Sequence, residues 1–130
     1  MRKFFVIETP PYPFSIAVSI GQTKRDFNTS IKTLGNYNLN DIIEFFSCSH
    51  MGQTCNNEGD NLVIVMLKAD ANHGVIAHEL FHAVTFVMSK VGINLHSLSE
   101  DKNNSTEEAY AYMIEYITNK FYDKIEETAL

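Results

Sequence analysis

The stretch from Leu62-Val63-Ile64-Val65-Met66-Leu67-Lys68 into the run Asn72 to Val91, which contains His78-Glu79-Leu80-Phe81-His82, decides how this chain is read. The first part is strongly β-prone and reads as the buried inner strand of a hairpin. Its partner is the short segment Met51 to Asn56, reached across the turn residues Glu58-Gly59-Asp60-Asn61. The second part carries Ile76, Leu80, Val84, Val87 and Val91 at the spacing of one apolar helical stripe, and Gly92 is its natural stop.

A helix turns every 3.6 residues, so His78 and His82, four apart, lie one above the other on one face and can share a metal ion. Glu79 sits beside that face, where its carboxylate reaches a water on the metal without taking a coordination position, as a general base requires. Composition alone supplies an HExxH string by accident in roughly one in a few hundred chains of this length, so the surroundings must carry the reading.

Those surroundings are consistent. Residues 3–8 and 14–20 are rich in Phe, Val and Ile around a proline turn at 10–13, and predict an antiparallel pair of strands ended by Gly21. Phe27, Ile31 and Leu34 suit a short amphipathic helix from Lys24 to Leu34, stopped at Gly35. Asp41 to Ser47 fits either a helical turn or a strand. After a polar loop from Asn94 to Asn104, a second long helix is expected from about Thr106 to Asp123.

The 130 residues and 45% hydrophobic content suit one soluble domain over 1–130 with a modest core. The net charge of -6 is dispersed and Lys and Arg form no cluster, which argues against nucleic acid as a partner. No stretch is apolar for long enough to span a membrane, and Glu8 with the prolines after it cuts short the apolar start, so a cytoplasmic protein is expected. Cys48 and Cys55 are then expected to remain thiols; their six-residue gap is too wide for an ordinary structural zinc pair.

Zinc in a hydrolase takes three protein ligands and leaves a position for water, so the two histidines need a third donor. Glu108, in Glu108-Ala109-Tyr110-Ala111-Tyr112, is the candidate, with Glu107 its rival; His96 lies in a polar loop with nothing to fix its position. The competing reading of Glu108 is a capping box with Ser105, although Asn104 as cap with Glu107 as its partner leaves Glu108 free. Tyr110, Tyr112, Tyr116 and Tyr122 read first as core residues with a wet hydroxyl. His50 and His73 read as surface or loop residues.

HExxH followed about 25 residues later by Glu-x-x-Ala-Tyr resembles the gluzincin zinc metallopeptidases, especially their compact single-domain forms, the minigluzincins. Short HExxH proteins of phages and bacterial mobile elements look similar. The resemblance covers roughly residues 62 to 122. It implies a zincin-like α+β fold, in which a small mixed or antiparallel sheet sets an edge strand over the active-site helix and a second, C-terminal helix carries a metal ligand. It further implies Zn2+ on His78, His82 and Glu108, Glu79 as general base, and a peptide or protein substrate extended along the edge strand. Tyr110 and His96 are the candidates for holding the oxyanion.

The chain departs from the pattern at Tyr112, where gluzincins commonly carry an Asp that orients a ligating histidine. The second domain that closes the cleft in larger relatives is not expected here. Two alternatives stand beside the hydrolase: a zinc-stabilised, catalytically silent binding or regulatory module, and a metal-free scaffold. Self-association through the exposed edge strand, or cover by the tail from Asp123 to Leu130, would restrain such a site.

Overall fold

The computed structural model describes residues 2–37, 43–56, 60–94 and 105–127. In chain order these form β1 (Lys3–Glu8), β2 (Ser15–Ile20), α1 (Lys24–Lys32), a 3₁₀ turn (Ile43–Ser47), β3 (Gly52–Asn56), β4 (Leu62–Leu67), α2 (His73–Lys90) and α3 (Ser105–Glu127). The four strands make one sheet in the order β1-β2-β4-β3. β1 and β2 are antiparallel with Lys3 opposite Ile20, and β3 and β4 are antiparallel with Gly52 opposite Leu67. The two inner strands β2 and β4 run parallel, Ser15 beside Leu62, so the sheet is mixed and the fold is a small α+β one.

Both faces of the inner strands are covered, and the side chains sort by parity. Ile16, Val18 and Ile20 of β2 join Val63, Val65 and Leu67 of β4 on one face, against Leu80, Val84, Val87 and Met88 of α2 and Ile117 and Phe121 of α3. Ala17, Leu62, Ile64 and Met66 point the other way, to Phe27 and Ile31 of α1 and to Phe45 of the 3₁₀ turn. Successive strand residues alternate sides, so a strand buried on both faces is expected to be largely apolar; β4 is apolar at every position from Leu62 to Leu67, and β2 is apolar from Ile16 to Ile20 but for the buried Ser19.

The helix that carries the histidines is fixed at both ends. Asn72 caps its start, its side chain accepting from Val75 N at 2.9 Å. At its end Gly92 takes a positive φ of 85°, Gly92 N donates to Ser89 O and Ile93 N donates to Met88 O, the paired bonds of a Schellman motif. Ile93 then packs on the core, which seals that end of the helix.

α3 closes the same face and is tied to β1. Phe121 meets Phe5 edge to face with ring centroids 5.7 Å apart, Tyr116 donates to Glu8 O at 3.0 Å, and Lys3 Nζ donates to Ile125 O. These contacts extend the helix past Asp123 to Glu127. α1, by contrast, ends at Lys32, before Leu34, because Thr33 and Leu34 turn back onto Ser30 O and Ile31 O. Within the ambiguous segment 41–47, residues 43–47 are the 3₁₀ turn and the two before them lie outside the described residues. Among the described residues no helix is long and apolar enough to cross a membrane.

Candidate functional site

His78 and His82 stand on the solvent-facing side of α2, and the helical repeat brings their rings to 4.7 Å between centroids at 76°. Their Nε2 atoms are 3.1 Å apart, and the His78 side chain is 66% exposed. Two nitrogens each about 2.0–2.1 Å from one zinc ion at a tetrahedral angle lie about 3.4 Å apart. The observed separation is within a few tenths of an ångström of that value, so the pair fits a shared metal ion. Without metal, the same contact is a hydrogen bond in which one neutral imidazole donates to the other.

Glu79 has the opposite environment. One position along, the helix turns its side chain towards β3, where it is 6% exposed. A buried carboxylate is costly unless hydrogen-bonded. Thr54 of β3 meets this need: its Oγ1 lies 2.8 Å from Glu79 Oε1 and 3.1 Å from the Glu79 carbonyl oxygen, so its single proton is shared between two acceptors of one residue. Oε2 is the oxygen left towards His78, 3.9 Å from its Nε2.

Gly52 makes the space for this arrangement. A Cβ at that position would lie 2.7 Å from Glu79 Cγ, 3.0 Å from Val75 Cγ1 and 3.1 Å from Glu79 Oε2. Gly52 and Thr54, two apart on a strand, point to the same side, while Cys55 points to the other face and packs with the α1 cluster. The start of β3 and the first turns of α2 thereby border a shallow, open cleft of about 480 Å³ lined by His50, Met51, Gly52, Asn72, Gly74, Val75, His78 and Glu79.

The remaining candidates are placed as follows. Glu107 and Glu108 are both exposed in the first turn of α3. Among the described residues, no three His, Cys, Asp or Glu side chains converge as a metal group, so His78 and His82 converge as a pair and Glu108 is not brought to them. The described part of α3 starts at Ser105, and the residues before it, which bear on the capping of this helix, lie outside the described residues. His96 also lies outside the described residues.

Tyr110 is a core residue, 4% exposed, and its hydroxyl donates to Ile93 O at 3.3 Å. Burial raises its phenol above the ordinary value. Tyr112, expected as a core residue with a wet edge, is instead 67% exposed, because its neighbour Tyr110 takes the inward face of α3. Tyr122 shares a 2.8 Å hydrogen bond with His73 Nδ1, which joins the first residue of α2 to α3. Cys48 and Cys55 are not joined to each other: Cys48 Sγ donates to Phe45 O at 3.3 Å and Cys55 Sγ accepts from Gln53 Nε2 at 3.4 Å.

Three participants escaped the sequence. His50 read as a loop residue and Thr54 and Gly52 as ordinary hairpin residues, since only the pairing of β3 beside β4 and beneath α2 brings them to Glu79 and the cleft. A larger cavity, about 670 Å³, lies away from the histidines between the start of α1, Phe45, Phe46 and Lys68; it is broad but holds none of the candidate residues.

Comparisons with protein-family models, curated proteins and solved structures give no match for this chain.

Proposed function

We propose that this chain is a zinc-dependent peptide hydrolase with a zincin-like site, similar to the compact gluzincins. The observation that carries the reading is that two imidazole Nε2 atoms lie 3.1 Å apart and a buried carboxylate lies 3.9 Å from that of His78, with His78 and Glu79 lining one cleft. A strand paired antiparallel to the inner strand, followed directly by the histidine helix, is the order that the resemblance requires.

In this proposal His78 and His82 would hold the ion; the third ligand would be Glu108, which does not form a group with the pair among the described residues and would have to close on it, with Glu107, on the same turn, as its rival. When bound, zinc supplies Lewis-acid polarisation of the scissile carbonyl and acidifies water. Glu79 Oε2 takes a proton from the attacking water as the water oxygen bonds to the carbonyl carbon. The same oxygen then gives the proton to the amine nitrogen as the C–N bond breaks. Among the described residues β3 is the last strand of the sheet, and its outer edge would offer backbone N–H and C=O groups to an extended peptide.

The test compares wild type with Glu79→Gln for bound zinc and for cleavage of a mixed peptide library. Equal zinc in both, with cleavage by wild type alone, is the expected result. Equal zinc with cleavage by neither replaces the hydrolase with a silent zinc module, and absence of zinc from both sets aside the metal site itself.

A further inference from the structure

We infer that Thr54 is a positioning residue for Glu79, fixing Oε1 so that Oε2 is the oxygen presented beside His78; the inference rests on the hydrolase reading above. A glutamate side chain has three rotatable torsions, the last of them broad and two-fold, so backbone placement alone does not settle which oxygen faces the cleft. Among the described residues, Thr54 is the hydroxyl that donates to this carboxylate. Its second acceptor, the Glu79 carbonyl oxygen at 3.1 Å, registers β3 against the backbone of α2 at the same residue.

Gly52 completes the device from the other side. The Glu79 side chain fills the volume that a Cβ there would occupy, with Oε2 only 3.1 Å from that position. Oε1 is therefore held by a hydroxyl and Oε2 lies over a bare backbone, both supplied by alternate residues of one edge strand. In the proposed reaction that strand also sets the height of the bound peptide, so base and substrate take their positions from the same element. A misplacement of about 1 Å costs on the order of 100-fold in rate.

The test uses the full chain with Thr54→Val, which deletes the hydroxyl at nearly constant shape, and Thr54→Ser, which keeps it. Three quantities are measured: bound zinc, kcat and KM for peptide cleavage, and the side-chain carboxyl 13C resonance of Glu79 in the zinc-free proteins. The expected result is zinc equal in all three, kcat about 10- to 100-fold lower in Thr54→Val with KM within about twofold, and most of the loss restored in Thr54→Ser. The Glu79 carboxyl resonance moves in Thr54→Val and stays near its wild-type position in Thr54→Ser. Thr54→Val with wild-type kcat overturns the inference. If wild type itself cleaves nothing, the hydrolase reading fails by itself, and the resonance still decides: unmoved in Thr54→Val, it overturns the positioning role.

Discussion

Gly52→Ala offers a test in which the sign of the effect is informative. Gly52 has no positive φ, so its backbone is one that alanine adopts freely. In open space the substitution would stabilise the protein by about 0.4–1 kcal/mol, because alanine restricts the unfolded chain. Here the new methyl would lie 2.7 Å from Glu79 Cγ and 3.0 Å from Val75 Cγ1, against the 3.5–4.0 Å at which carbons pack best. Glu79 is held by Thr54 and Val75 by the helix, so neither yields freely, and overpacking of this kind costs about 1–3 kcal/mol. Net destabilisation is expected, read by urea unfolding. In a Glu79→Ala background, where Cγ and the carboxylate are gone, the cost of Gly52→Ala should fall by about 1 kcal/mol or more. Gly52→Ala that stabilises wild type, or that costs the same in both backgrounds, would refute the close seating of Glu79 under β3.

Other perturbations address separate parts of the account. His82→Ala leaves His78 without its partner and should weaken zinc binding by more than the roughly 10- to 100-fold typical of losing an outer partner, as read by zinc titration of metal-free protein. Asn72→Ala removes the cap of the histidine helix and should cost about 0.5–2 kcal/mol in thermal or denaturant unfolding; no change would mean that Val75 N finds another acceptor. Phe121→Ala empties a fully buried ring position between α3 and β1 and should cost about 3–5 kcal/mol, whereas Tyr112→Ala, on the exposed face, should change stability by less than about 0.5 kcal/mol.

The legible parts of this chain were those governed by local rules. The stripe through Leu80, Val84 and Val87 gave α2, and Asn72 and Gly92 bounded it, because capping and helical period are properties of neighbouring residues. The unbroken apolar run of β4 showed an inner strand. Its parallel partnership with β2 was not legible, since that pairing joins segments separated by α1, the 3₁₀ turn and β3. The site divides in the same way. His78 and His82 follow from an i, i+4 relation, while Thr54 and Gly52 act through a tertiary contact with no signature in the chain. Tyr110 shows the reverse case: the resemblance offered it for the oxyanion, whereas the phase of α3 sends its ring into the core, in keeping with the reading of these tyrosines as core residues, and its hydroxyl to Ile93.

The central claim is that metal on the histidine pair and the Glu79 carboxylate together hydrolyse peptide bonds. The most direct measurement follows the rate of peptide cleavage as zinc is titrated into metal-free wild type and Glu79→Gln, with bound zinc recorded at every point. The account predicts a wild-type rate that rises to saturation at one equivalent of bound zinc, and a Glu79→Gln protein that fills its site equally and stays inactive. A filled site with no cleavage by wild type, or cleavage that persists in Glu79→Gln, would contradict it.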